Sequence, residues 1–217
     1  MNIWFTSDTH FGHGNIIKYS GRPYLSDREL QLLAEERKGG ENLRVSRESV
    51  ERMDDCLFEE INKVVQEDDE LWHLGDFCFA PKYDYFKAAK NYRRRIKCKN
   101  VHLIWGNHDN YSLAPLFSST HHMETVSVGQ GKAQQNIVCN HYAMAIWNRS
   151  HRGAWHLYGH SHSGAEDWLD AALPGRRSFD VGVDNAAKIL GAYRPWSFDE
   201  IKQIMDKKTG CVIDHHE

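Results

Sequence analysis

Five places along the chain set oxygen and nitrogen donors close together. They are Ser7-Asp8-Thr9-His10, Gly75-Asp76, Gly106-Asn107-His108-Asp109, Asn140-His141 and Gly159-His160-Ser161-His162. The metal-ligand candidates among them are Asp8, His10, Asp76, Asn107, His141, His160 and His162. A set of carboxylate, amide and imidazole donors without a thiolate suits borderline divalent metals such as manganese, iron or zinc. The set overfills one tetrahedral ion, but it suits two ions roughly 4 Å apart that share a bridging carboxylate. Two such ions bring about four positive charges against two carboxylates, leaving a surplus of about two. A bridging hydroxide and an anionic substrate such as a phosphate ester would complete that balance. In an extended chain, residues i and i+2 project to the same side. Asp8 with His10, and His160 with His162, are therefore expected to present paired ligands from extended strand ends.

Each donor group follows a short apolar run: Ile3-Trp4-Phe5, Leu71-Trp72-His73-Leu74, Val101-His102-Leu103-Ile104-Trp105, Ile137-Val138-Cys139 and Ala154-Trp155-His156-Leu157-Tyr158. Runs this short, rich in β-branched and aromatic residues, read as buried strands. In sheets built from βα units, ligands collect at the carboxyl ends of strands. Between the runs, Val50, Met53, Leu57, Ile61 and Val64 form one apolar stripe, which predicts a helix over about 48–66. Ser26 with Glu29 reads as a capping box for a helix that ends by Gly39-Gly40. Residues 82–95 read as helical, and Ser197 with Glu200 caps a last helix through about Lys207. Asn15-Ile16-Ile17 opens a further helix. No linker, repeat or low-complexity tract interrupts the chain, and one domain over 1–217 is expected.

At 217 residues, with 41% apolar and 26% charged residues, the composition is that of an ordinary globular protein. A net charge of −3 gives no global reason to expect nucleic acid or membrane as partner. No apolar run approaches the roughly 18 residues of a membrane span, and no signal peptide is visible. The five cysteines (Cys56, Cys78, Cys98, Cys139 and Cys211) are odd in number and never spaced C-x-x-C, so a reducing cytoplasm is expected. The unusual figure is 14 histidines, which directs attention back to metal binding.

Taken in order, Asp8-x-His10, Gly75-Asp76, Gly106-Asn107-His108-Asp109, His141 and Gly159-His160-Ser161-His162 resemble the calcineurin-like metallophosphoesterase signature. The resemblance runs from Asn2 to about Ile201. It implies an α/β fold, a two-sheet β-sandwich flanked by helices (αββα), with a two-metal site on one edge. It further implies one metal on Asp8, His10, Asp76 and His162 and another on Asp76, Asn107, His141 and His160, bridged by Asp76. His108 would then protonate the leaving oxygen or steady the phosphate, with Asp109 fixing its orientation. Manganese is the first expectation, and iron, zinc or nickel also fit.

More narrowly, Ser7 to His13, Asn15-Ile16-Ile17, Arg22-Pro23, Asp180 to Asp184 and Tyr193-Arg194-Pro195 are similar to small bacterial and phage members. Residues 25–47 are longer and more charged than that pattern, and Ala143 stands where proline often follows His141-Tyr142. Both departures lie away from the ligands and bear on substrate.

Substrate contacts are expected from His13 and Asn15, near a helix start that favours anions, and from Arg22, Arg149 and Arg152, which can clamp a phosphate. His13 reads equally as a turn residue capping that helix, and an exposed arginine is commonly just solvated. His73, His102 and His156 lie inside strand runs and read as core or surface. Cys78 reads as a small buried residue. The expected reaction is hydrolysis of a phosphodiester or nucleotide-type phosphoester by metal-bound hydroxide, on a small-molecule substrate. The alternatives are a phosphomonoesterase or phosphoprotein phosphatase, and a nuclease acting on DNA or RNA ends through the basic 82–99 segment with Arg93-Arg94-Arg95. A non-catalytic module on the same fold would be expected to have lost ligands, and none is missing.

Overall fold

The computed structural model describes residues 1–210; Cys211 and the end of the expected 1–217 domain lie outside that range. Along the chain come β1 (Ile3–Thr6), α1 (Gly14–Tyr19), α2 (Asp27–Glu36), α3 (Arg47–Val64), β2 (Glu70–His73), α4 (Tyr85–Arg95), β3 (Asn100–Ile104), β4 (Ser119–His121) and β5 (Met123–Val128). They are followed by β6 (Gln135–Asn140), β7 (Trp155–Tyr158), α5 (Glu166–Ala172), β8 (Ser178–Asp180), α6 (Val183–Leu190), β9 (Trp196–Ser197) and α7 (Phe198–Met205).

The strands form two mixed sheets, one ordered β4-β3-β2-β1-β9 and the other β5-β6-β7-β8. In the first, β1, β2, β3 and β4 run parallel and β9 returns antiparallel beside β1. In the second, β6, β7 and β8 are parallel. All five apolar runs are strands, and the parallel pairing aligns their carboxyl ends within each sheet. The expected two-sheet sandwich flanked by helices is the observed architecture.

Two apolar cores explain why these residues fold this way. One joins the two sheets: Phe5, Trp72 and Ile104 pack with Ile137, Cys139, Leu157, Phe179 and Trp196, and Ile201 and Met205 of α7 close it. The other joins the first sheet to its helices. There the stripe of α3 (Met53, Leu57 and Ile61, all fully buried) meets Leu71, Val101, Leu103 and Phe77. Each such side chain contributes about 1.5–3 kcal/mol by leaving water.

Both predicted capping boxes form. The Ser26 hydroxyl accepts the Glu29 N–H while Glu29 accepts the Ser26 N–H, and Ser197 and Glu200 do the same for α7. Glu29 does more than cap, because its carboxylate also takes the Ser46 N–H and the Ser49 hydroxyl. The charged 25–47 segment is thereby pinned to the start of α3. Buried Lys18 holds its other side, donating to Glu36, Asn42 and the Leu43 carbonyl.

Among the described residues no helix is long and apolar enough to cross a membrane. Two arginines of the basic 82–99 segment are engaged in the fold, while Lys82, Lys87, Lys90 and Arg94 are exposed. Arg93 donates to the Ile96, Cys98 and Lys99 carbonyls beyond the end of α4. Arg95 pairs with Asp55 at 2.6 Å and lies 4.0 Å over the Phe58 ring.

Candidate active site

Asp8 follows β1, Asp76 follows β2, Asn107 follows β3, His141 follows β6, and His160 and His162 follow β7. The strand-end loops interlock before any ligand is considered. The Asp8 N–H donates to the Gly75 carbonyl, the His10 N–H to Asp76 and the Phe11 N–H to Phe77. Backbone also holds the acids: the His160 N–H lies 2.9 Å from Asp8 Oδ2, and the His108 N–H 2.9 Å from Asp76 Oδ1. Each carboxylate is therefore aimed by the loop that carries another candidate.

Two groups of donors result, Asp8 with His10 and His162, and Asp76 with His141 and His160. Within each group the ligating atoms lie within 4.8 Å of one another. Asn107 joins the second group, its Oδ1 3.0 Å from His141 Nε2. Asp76 Oδ2 is 3.5 Å from His10 Nε2 in one direction and 3.5 Å from His141 Nε2 in the other. One carboxylate oxygen thus faces both groups.

The backbone departs from expectation here. Asp8, His10, Asp76, His160 and His162 all have positive φ, between 48° and 67°. The paired ligands stand on tight left-handed turns and not on extended strand ends, and i,i+2 alternation does not describe them. His160 and His162 fall into different groups, while Asp8 and His10 share one. Left-handed conformation disfavours any residue with a Cβ by about 1–3 kcal/mol, so tertiary contacts must hold it. Two glycines make room for the turns. A Cβ on Gly106 would stand 2.2 Å from Asp76 Oδ1, and one on Gly159 would stand 2.4 Å from Asp8 Oδ2.

Burial sets the electrostatics. It pushes the Asp8 carboxyl up to about 7, a rise opposed by His162 and His141. It pushes the His10 imidazole down to about 2, opposed by Asp76. Burial also acts upward on Asp76, but hydrogen bonding and charge from His141, with His10 and the His108 N–H, hold it below the usual carboxylate range. His141 goes up to about 9, as Asp76 and Asp8 outweigh burial. His10, held neutral by burial, is in the protonation state that ligates metal. His10 supplies the test of fit: it is 2% exposed, and neither ring nitrogen has a hydrogen-bond partner. A cation among these donors would satisfy that nitrogen and favour the ionised form of Asp8.

His108 is exposed at the mouth of this arrangement. Its ring lies 5.4 Å from that of His10 and 6.4 Å from that of His13. Its backbone is fixed at both ends, by Asp76 at the N–H and by the Tyr85 hydroxyl, which donates to its carbonyl. Asp109 does not orient the His108 ring as expected. Its carboxylate accepts the Asp76, Phe77 and Gly106 N–H groups and ties two ligand loops together. The chain turns after His108, so the Asp109 side chain lies under the loops.

His13 occupies the N-cap position of α1 without a side-chain cap. Its ring stacks on Phe79 at 4.3 Å and stands 5.4 Å from His10, on the rim of the site. Burial, then His108, push its imidazole down to about 4. Asn15 is exposed on the first turn of α1. Arg22 departs from the expected phosphate clamp: it is 2% exposed, donates to the Asp8 and Thr9 carbonyls, and pairs with both oxygens of Asp184 at 2.9 Å. An inward guanidinium with its donors engaged has none left for a substrate. Arg149 and Arg152 are exposed on the turn around residues 150–152, and among the described residues no contact joins them to the ligand groups.

Asp184 is the residue that sequence reasoning missed. Its carboxylate accepts from His162 Nδ1, the kind of outer support that fixes a metal-binding imidazole. Asp180 plays a related part by accepting from the Ser161 hydroxyl and the Ser163 N–H of the same loop. The signal available was the pair of acids four positions apart in Asp180-Val181-Gly182-Val183-Asp184.

A two-sheet sandwich with Asp and His donors gathered at its strand ends is the architecture of a metallophosphoesterase. The family model described as calcineurin-like phosphoesterase matches residues 1–173, and the chain belongs to that family. It is thus a metal-dependent hydrolase of phosphoric esters. A relative, the uncharacterized protein MJ1445 of Methanocaldococcus jannaschii, is 25% identical over 213 residues, covering 94% of this chain and 92% of its own. Among solved structures, the protein of unknown function AQ665 from Aquifex aeolicus superposes with a TM-score of 0.59 at 19% identity, covering 94% of this chain and 98% of that one. It shares the fold. Yfce, a phosphoesterase from E. coli, matches with a TM-score of 0.34 at 17% identity over 75% of this chain and 70% of its own.

Proposed function

We propose that the chain is a dinuclear phosphodiesterase acting on a small phosphodiester or nucleotide-type ester. The observation that carries this reading is Asp76, whose Oδ2 lies 3.5 Å from His10 Nε2 and 3.5 Å from His141 Nε2. In this reading one ion is held by Asp8, His10, Asp76 and His162 and the other by Asp76, Asn107, His141 and His160. Divalent ions held there supply Lewis acidity to phosphoryl oxygens and activate water at neutral pH. Manganese is our first choice, because the donors are oxygen and imidazole nitrogen without thiolate.

The chain's own residues do the rest. Asp109 and the His108 N–H keep Asp76 aimed between the two groups. Asp184 fixes the face that the His162 ring turns to the site. His108, anchored through its backbone with an exposed ring, donates a proton to the leaving oxygen. His13 lies beside it to contact the phosphate or the departing group. A diester fits better than a monoester dianion because the charge surplus of the site is small once a hydroxide is counted.

The test is metal analysis of the purified protein, then a panel of mono- and diesters assayed with manganese, nickel and zinc. Two equivalents of metal and a preference for diesters are expected. Asp76→Asn is expected to lower metal content and activity together, and His108→Ala to lower kcat with metal content retained. Metal-dependent hydrolysis of an aryl phosphodiester that survives either substitution unchanged overturns the mechanism.

A further inference from the structure

One cavity is not accounted for by the reading above, and His108 is part of its wall. It has a volume of about 720 Å³ and is lined by Phe79, Lys82, Tyr83, Phe86 and Lys87 together with His108. Small-molecule sites run from roughly 300 to 1,000 Å³. Tyr85 also lines this wall and is half-buried, and three further aromatic residues of it are exposed, by 45% at Phe79, 92% at Tyr83 and 41% at Phe86. Leaving three large rings in water beside a reactive histidine is unfavourable unless something stacks on them. They are also continuous with the rings over the ligand groups. Phe79 stacks on His13 at 4.3 Å and meets the His108 ring edge-on at 6.4 Å, and His108 in turn lies 5.4 Å from His10.

We propose that this cavity receives the base of a nucleoside leaving group. The argument rests on the phosphoesterase reading with His108 as proton donor. The leaving oxygen departs toward that donor, so the group attached to it comes to lie in whatever cavity the donor borders. Here that cavity offers aromatic faces for a planar base, where stacking contributes about 1–3 kcal/mol and tolerates any base. Lys82 and Lys87 share the lining with Asp84 and Asp109, and Lys87 lies 4.0 Å from Asp84, so the wall is close to charge-balanced and its ammonium groups suit the π face of a base. In the reaction, a water oxygen bonds to phosphorus as the phosphorus–oxygen bond to the nucleoside breaks. The nucleoside oxygen takes the His108 proton, and the proton lost by the water restores the balance. An aliphatic leaving group of the same size would gain burial but no stacking.

The test uses the manganese-loaded full chain and calorimetric titration with adenosine 5′-monophosphate and with ribose 5-phosphate, which carries a hydroxyl at C1 in place of the base. The monophosphate is expected to bind about tenfold tighter. In the double variant Tyr83→Ala/Phe86→Ala that ratio is expected to fall below about threefold, with the melting temperature as a control for folding. Equal binding of the two ligands by the unmodified protein overturns the proposal without any need of a variant. A ratio unchanged in the double variant also overturns it. These ratios need no turnover, so they stay separable from the phosphoesterase reading, which is tested by hydrolysis in the unmodified protein and in Asp76→Asn and His108→Ala.

Discussion

The Asp184 carboxylate accepts a 2.6 Å hydrogen bond from His162 Nδ1 and holds Arg22 through two bonds of 2.9 Å. Arg22 in turn donates to the Asp8 carbonyl at 2.7 Å. A single chain of contacts therefore links the loops after β1 and β7 behind the first donor group. Removing the negative charge while keeping the shape isolates this role. Asp184→Asn is expected to weaken metal binding at the Asp8 group by about 10–100-fold. Metal titration followed by dialysis measures it, and undiminished affinity would mean that His162 needs no such support.

Gly106 tests the crowding around Asp76. A Cβ there would stand 2.2 Å from Asp76 Oδ1, which accepts the His108 N–H, and 2.4 Å from the Asp76 N, whose N–H donates to Asp109. Gly106→Ala is expected to lower kcat by about two orders of magnitude, the scale of a catalytic arrangement displaced by an ångström. Steady-state kinetics beside a thermal melt separate misplacement from unfolding.

Glu29 gives a prediction in pH. Burial raises its carboxyl, but hydrogen bonds from Ser46, Ser49 and Ser26 outweigh it and hold the group at about 2 in the folded chain. The folded value lies below the ordinary carboxylate value, so the stabilisation is full above about 4.5 and fades as the pH falls toward 2. Glu29→Gln is expected to cost about 1–3 kcal/mol at pH 7. Denaturant unfolding at pH 7 and pH 3.5 should show the gap between the two proteins narrowing in acid.

Arg93 decides between fold and nucleic-acid contact in the basic segment. Its three carbonyl acceptors predict that Arg93→Ala destabilises the chain by about 1–3 kcal/mol. The KM for a small diester is expected to stay as it was. A melt and steady-state kinetics check both halves, and salt-sensitive binding of single-stranded DNA that is lost in the variant would favour the nuclease reading.

Much of this fold was legible because each apolar run announces a strand and then stops at a donor. Ile3-Trp4-Phe5 before Asp8 and Trp155 to Tyr158 before His160 show it plainly. The edge strands Ser119–His121, Ser178–Asp180 and Trp196–Ser197 were not, since two or three residues carry no period. Nor does sequence reveal partners distant along the chain. Arg22 and Asp184 are 162 positions apart, and only the folded molecule turns a plausible phosphate clamp into an internal strut. The left-handed turns at Asp8, His10, Asp76, His160 and His162 were equally hidden, because the local preference of those residues lies elsewhere and the interlocked loops override it.

The two sheets are interlaced along the chain, and each donor group draws on both. Asp8 and His10 hang from the first sheet and His162 from the second; Asp76 comes from the first, His141 and His160 from the second. The chain enters the second sheet at β5 and comes back to lay β9 against β1. A cut in the loop between β4 and β5 therefore yields two fragments of which neither holds a whole donor group, and the second carries away the edge of the first sheet. Such halves would be inert apart and would need each other to bind metal, so reassembly could be followed by metal uptake alone.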